Sequence, residues 1–337
     1  MIKTQKYSVK KGLSVLVTMF FLMIIIILIS INTGKMSLSP LEIIDVLLAK
    51  GTAQQNLIIF EFRLPRIILA ALVGIGMSIS GAVMQSLLRN DMASPGTLGI
   101  SSGSGLFVLL YVIFFKSGSA SPITLPLLAF IGGMTAALLI YLFSYRKNRD
   151  ISPTELILNG VALGSGYGAI TTLLTLKLDQ NQMDFMQRWF AGSLWGDTWN
   201  YLSILIPWTI ILSFYILYKS RVLDVIHLGN QTATGLGVAV KLEFVKISVA
   251  AIALSAGSVA LGGSFFFIGM IAPHMAKKLV GPNHKLLLPA AGMAGASIVL
   301  FADVITKVIS FGTNIPTGII ITVLSTPYFL YLLAKSN

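Results

Sequence analysis

Few side chains in this sequence could do covalent chemistry, and their spacing speaks against it. The three histidines, His227, His274 and His284, fall at or near the ends of expected helices and not in one constellation. A lone histidine at such a place caps a helix or meets a headgroup more often than it binds a ligand. There is no H-E-x-x-H pair for zinc and no G-x-x-x-x-G-K-[ST] loop for the phosphates of ATP. The serines of "SSGSG", Ser101 to Gly105, have no identifiable base partner. Nothing supplies nucleophile, base and oxyanion donors together, so an enzyme is not expected. With no cysteine, disulfides and thiolate metal sites are absent too.

Charged and amide groups inside apolar stretches are the remaining candidates. Asp303, in "LFADVITKV", is the one acid deep in an apolar run, which makes it a functional candidate by default. Lys307 lies one helical turn further on, so an i,i+4 ion pair is the favoured reading over a proton relay. Gln85 either lines a wet path or bonds a neighbouring helix. Arg63 and Arg66 open the long apolar stretch "RLPRIILAAL" on the side the charge pattern below assigns to the outside. Cations there either snorkel to headgroups or serve a partner.

The elements that must carry these groups are membrane spans. Of 337 residues, 55% are hydrophobic and 11% charged, too apolar for a soluble chain of this length. Apolar runs of about 20 residues recur, the length a helix needs to cross roughly 30 Å of hydrocarbon. Ten spans are expected, near 13–33, 64–88, 95–115, 122–144, 155–176, 199–218, 244–261, 264–280, 286–309 and 316–334. The first follows four lysines but has no A-x-A cleavage site, so it is read as a retained helix after a cytoplasmic tail, 1–12. With the N-terminus inside, sixteen of the 24 Lys and Arg fall on the inner side, and both termini are cytoplasmic. The net charge of +12 does not mark a nucleic-acid binder, because no basic helix face with interleaved aromatics occurs.

Two outer segments are more than turns. "SLSPLEIIDVLLAKG" has a helix start at Ser39 and Pro40 and is too short to span. "LDQNQMDFMQRWFAGSLWGDTW", with Trp189, Trp195 and Trp199, is expected as an interfacial cap. Gly74, Gly76 and Gly81, Gly160, Gly164 and Gly168, and Gly292 and Gly295 sit in spans, where small residues permit close packing or a backbone-lined path. Gly/Pro interruptions around Pro95 and Pro273 suggest an inverted repeat.

Three stretches are specific in combination: Arg63 to Gly105, with R-L-P-R, G-x-x-x-Q-x-x-x-R-N and P-x-x-L-G; "HLGNQTATGLGV", His227 to Val238; and Gly263 to Asp303, continuing to Ile315–Val323, with F-x-G-x-x-x-P-H and L-P-x-x-x-x-x-G-A-x-x-x-x-x-A-D. The chain resembles the FecCD-type permeases of bacterial ABC importers for iron–siderophores, haem and vitamin B12. The family usually has N-P-L-A where this chain has Asn90-Asp91-Met92-Ala93.

The resemblance implies one all-α permease domain over 1–337, with the ten-helix type II importer fold, in the bacterial cytoplasmic membrane. It implies a second permease chain, identical or homologous, two cytoplasmic ATPases that hold ATP and Mg, and an extracytoplasmic binding protein. No cofactor is expected on this chain itself. By motif position, Arg63, Arg66 and Lys307 would dock the binding protein. A segment near 221–241, with Gly229, Thr232, Ala233, Leu236 and Gly237, would couple to the ATPase as two short helices. Gln85, Asn90, Met92, Pro153 and Thr154 would line the pathway or its inner gate. The expected cargo is a ferric siderophore, with vitamin B12 or haem as the alternative. A secondary transporter coupled through Asp303 is the distant rival.

Overall fold

Places where two helix backbones meet without side chains between them set the packing of this protein. A Cβ on Gly81 would lie 1.7 Å from the Gly269 carbonyl oxygen, and one on Gly74 2.4 Å from that of Gly295. The spans holding those glycines therefore touch backbone to backbone, as membrane helices do when lipid offers no hydrophobic drive to associate. The computed structural model describes residues 9–34, 36, 38–115, 123–145, 152–309 and 315–336. Lys3, Lys6, Lys35, Lys116, Arg146, Lys147 and Arg149, which enter the charge pattern, lie outside them.

In chain order, α1 (Val9–Asn32) is followed by the short α2 (Pro40–Leu47) and α3 (Ala53–Asn56). Ser39 and Glu42 close a reciprocal capping box on α2. From α3 the chain runs through a π-helical stretch, Leu57–Arg63, into α4 (Leu64–Leu88). Then come α5 (Ile100–Phe114), α6 (Thr124–Ser144), α7 (Pro153–Thr175), α8 (Gln180–Phe190) and α9 (Trp199–Tyr218). The short α10 (Ser220–His227) and α11 (Asn230–Gly235) lead to α12 (Val240–Gly262), α13 (Ile268–Val280), α14 (His284–Ile309) and α15 (Thr317–Ser336).

A helix stands at each of the ten expected spans. Among the described residues seven are long and apolar enough to cross a membrane, whereas α5 is a shorter apolar helix and α13 has only 13 residues; α15 is apolar over Thr317–Tyr331. The expected starts at 95 and 264 are too early. Gly99 (φ +75°) is the N-cap of α5, which begins only at Ile100, while Gly263 (φ +70°) ends α12 and a non-helical stretch, 264–267, precedes the start of α13 at Ile268. The non-helical approach to α5 is tolerated because it is buried in protein: Ala93, Ser94 and Leu98 are buried, and Leu98 N–H donates to Ser94 O at 3.2 Å.

Helix α4 is the axis of the bundle. It packs on α12, α13 and α14. Ser80 donates to Ala251 O of α12 at 2.6 Å, and Gln85 Nε2 to Met270 O of α13 at 2.9 Å. The helix running from Ala53 to Leu88 has 83% of its most apolar window buried; for α7, on the far side of α5 and α6, the figure is 11%. Trp189, expected at an interface, is instead almost wholly buried, in a core with Leu69, Met77 and Phe265. A second core layer gathers Leu87, Leu254 and Leu288 with Leu223 and Ile226 of α10.

Candidate functional site

Both ends of α4 carry polar groups that reach across to other elements. At its start, the Arg63 guanidinium donates to the carbonyls of Ile31 and Met36, and the side chain is buried. These are the carbonyls that the end of α1 and the turn after it leave without helical partners. Arg66 Nε donates to Asp303 Oδ1 at 2.9 Å, and its Nη1 lies 3.5 Å from Asp197 Oδ2. Lys307 Nζ approaches Asp303 Oδ2 at 2.8 Å and Ser30 Oγ at 3.1 Å. Asp303 is fully buried between the two cations, which is the pairing expected from its spacing to Lys307, with Arg66 added.

The structure thus gathers Arg63, Arg66 and Lys307 on one cavity of about 630 Å³, whose wall also includes Arg188, Trp195 and Asp197. None of the three extends freely: the side chain of Arg66 keeps 29% exposure and that of Lys307 14%. Asp197 is the more distant acid partner of Arg66. Burial raises its pKa above the ordinary carboxylate value, and the Arg66 guanidinium offsets this only in part.

At the other end of α4, Asn90, Pro153 and Thr154 line one open cavity of about 670 Å³ together with Arg89, Asp91, His227 and Lys277. Met92 is held beside it by a bond from its N–H to Asn90 Oδ1 at 2.9 Å. Gln85 is buried and spends its amide on α13, the helix-bonding alternative of the two open to it. Asp91, the acid this chain has where the family usually has proline, finds Lys277 Nζ at 2.7 Å.

The segment 221–241 forms two short helices, α10 and α11, each followed by a left-handed glycine: Gly229 (φ +119°) and Gly237 (φ +83°). Ala233 is buried against the bundle, while Thr232 and Leu236 are exposed. Arg89, at the end of α4 and itself left-handed (φ +49°), reaches this segment. Its Nη2 donates to Ile226 O at 3.1 Å and to Asn230 Oδ1 at 2.6 Å.

Two of the histidines that looked dispersed do come together. The rings of His227 and His284 are 6.3 Å apart, while His274 stands separately beside Tyr328. Asp224 Oδ1 on α10 accepts from His284 N–H at 3.0 Å and meets His284 Nδ1 at 2.6 Å; His284 Nε2 meets Ser86 Oγ of α4 at 2.5 Å. A carboxylate can only accept, so Nδ1 carries a proton, and the serine hydroxyl, which can both donate and accept, pairs with Nε2. Burial alone would raise the Asp224 pKa, but the bonds from the His284 ring and backbone outweigh it and hold the acid below its ordinary value. Serine, histidine and acid in a row resemble a hydrolase triad, yet the space beside Ser86 and His284 is only about 10 Å³. No acyl substrate fits there.

Arg89, Ser86, Asp224, His284 and Lys277, with Ser30 and Asp197 at the opposite end, are polar residues that sequence reasoning did not single out as sites. Arg89 stood within a quoted motif, but nothing along the chain joins Ser86 to a histidine 198 residues away.

The fold has counterparts among known proteins. The profile of the FecCD transport family matches residues 22–335. The iron(3+)-hydroxamate import system permease protein FhuG of Bacillus subtilis is 42% identical over 340 aligned residues, covering 98% of this chain and 100% of FhuG. The Fe(3+) dicitrate transport system permease protein FecD of Escherichia coli is 33% identical over 82% of this chain and 85% of FecD. A solved structure described as an inward-facing metal-chelate type ABC transporter superposes with a TM-score of 0.85 at 29% identity, over 96% of this chain and 99% of that one. Matched by the family over residues 22–335 and by FhuG over 98% of its length, this multi-pass membrane protein belongs to the FecCD transport family.

Proposed function

We propose that this chain is the permease subunit of an ATP-driven importer that carries a ferric siderophore across the bacterial cytoplasmic membrane. The observation that carries the reading is full-length similarity to FhuG, whose name assigns it to iron(3+)-hydroxamate import. The FecD relative has a ferric dicitrate system, so iron held by oxygen-rich chelators is the common thread. A second permease chain completes the pathway, and α7, with its broad exposed face and its place at the inner cavity, is one of the elements available to meet it. In this reading both termini are cytoplasmic.

The rest of the assembly follows from the two ends of α4. An ATPase, holding ATP and Mg, seats α10 and α11, whose exposed Thr232 and Leu236 stand out from a buried Ala233. A binding protein docks over the Arg66 cavity, where one of its carboxylates would replace Asp197, the longer contact of Arg66. Charge placed at a rim in this way speeds encounter and fixes orientation. The pathway opens and closes at Asn90, Met92, Pro153 and Thr154 by rigid-body movement of packed helices, which needs no catalytic residue.

Uptake of radiolabelled iron tests this, in a strain lacking the chain and supplied with hydroxamate, catecholate and citrate chelates, haem and labelled cobalamin. Loss of one ferric chelate alone, restored by the wild-type gene, is the expected outcome. Loss of haem or cobalamin uptake with every chelate unaffected would overturn the cargo.

A further inference from the structure

The α10–α11 segment enters the second core layer through Leu223 and Ile226 of α10, and Ala233 of α11 is buried as well. Two polar, directional links to α4 are added to this apolar contact. One link is Arg89, donating to Ile226 O and Asn230 Oδ1. A non-glycine residue in left-handed backbone, as Arg89 is, is strained and persists when its surroundings over-determine it. The other link is the chain of Ser86 to His284 to Asp224, whose serine and histidine are almost wholly buried. Hydrogen bonds in such surroundings are stiff, because breaking one strands a desolvated partner. Asp224 also supplies negative charge at the start of α14, where the helix dipole favours it.

Beyond Ser86, Gln85 bonds to α13 and Ser80 to α12, so α4 carries its neighbours with it. Helix α7, which contributes Pro153 and Thr154 to the inner cavity, packs mainly on α5 and α6, whereas α10 packs on α4 and α14. A push on α10 therefore reaches the α4 wall of that cavity directly, and α7 only through the helices between them.

We infer that Ser86, Arg89, Asp224 and His284 are the positioning residues of coupling: they tie the ATPase-facing segment to α4, so that its displacement moves α4 against α7 and works the inner gate. This rests on the permease reading above. The buried serine is an anchor of this linkage and not a nucleophile.

The test uses the complete importer, with its partner permease, ATPases and binding protein, in proteoliposomes. The chain has no cysteine, so a reporter cysteine at Thr154 is unique within it. Its modification rate by a water-soluble maleimide is measured without nucleotide and after trapping with ATP and vanadate, and ATP hydrolysis is measured beside it. The parent should show a nucleotide-dependent rate. Ser86→Ala and Asp224→Asn should lose that dependence while still hydrolysing ATP, and Ser86→Thr, which keeps the hydroxyl, should retain it. Ser86→Ala removes one buried oxygen and leaves the helix intact, so it guards against misfolding of the other variant. Persistence of the rate change in both variants would overturn the inference, as would its absence in a parent that imports. Collapse of ATP hydrolysis in both would also overturn it, reducing these contacts to a fold support. A parent that gates with ATP yet imports no ferric chelate would sink the cargo reading and leave the linkage standing.

Discussion

The two ends of α4 are both cross-linked by charged and hydrogen-bonded side chains, yet they join different kinds of partner. At the Arg66 end the links run between elements already packed together: α1, α4, α14 and the loop before α9. At the His284 end they run from the packed bundle to a small pair of helices, of which α11 is largely exposed. The first arrangement stiffens a rim and the second transmits displacement. Polar groups of the same kinds thus serve opposite mechanical purposes, according to what stands at the far end of each bond.

The comparison can be broken most forcefully at Asp303. Asp303→Ala would leave Arg66 and Lys307 without the acid between them, at a cost of about 3–5 kcal/mol. Thermal unfolding of the purified chain in detergent should show a large fall in Tm; an unchanged Tm would mean that water or lipid already satisfies those cations.

Gly81→Ala comes next, because its methyl must part α4 from α13 at the Gly269 carbonyl. The expected loss is about 1–3 kcal/mol. Gly168 of α7 has nothing within 4 Å, so Gly168→Ala should leave the isolated chain as stable or slightly more so, by up to about 1 kcal/mol. Equal losses at both glycines would contradict α4 as the buried axis and α7 as the exposed edge.

Smaller still is Lys277→Ala. The pair with Asp91 is 30% and 47% exposed, and such pairs contribute about 0–1 kcal/mol. This variant should barely change Tm while altering access to the inner cavity, read by modification of a cysteine at Thr154.

The smallest effect concerns pH. Burial, with lesser contributions from nearby Lys277 and His284, lowers the pKa of His227. A depressed folded pKa means that the stabilising contribution is present above the unfolded value of about 6.5 and is lost as pH falls through the folded one. Amides of α10 should therefore exchange slightly faster at mildly acid pH, after correction for intrinsic rates. Slower exchange on acidification would reverse the assigned sign.

Much of the fold was legible because span length and small-residue spacing are local properties. Helices stand where all ten apolar runs predict them, and Gly229 and Gly237 marked out α10 and α11. The premature starts at 95 and 264 came from reading apolar residues as helix, when burial in protein allowed them to be turns. The site was only partly legible. Asn90, Pro153 and Thr154 do share a cavity, but the burial of Arg63 depended on carbonyls left open at the end of α1, which no spacing within the R-L-P-R motif reveals. Ser86, Asp224 and His284 meet only through the packing of α4, α10 and α14. One sequence holds no record of that meeting.

The most direct test of the division between the two ends is the number of ATP molecules hydrolysed per ferric chelate delivered by the reconstituted importer. The account predicts that Arg66→Ala raises the concentration of binding protein needed but leaves this ratio unchanged, whereas Ser86→Ala raises the ratio because hydrolysis continues without gating. An equal rise in both variants, or an unchanged ratio in Ser86→Ala, would contradict it.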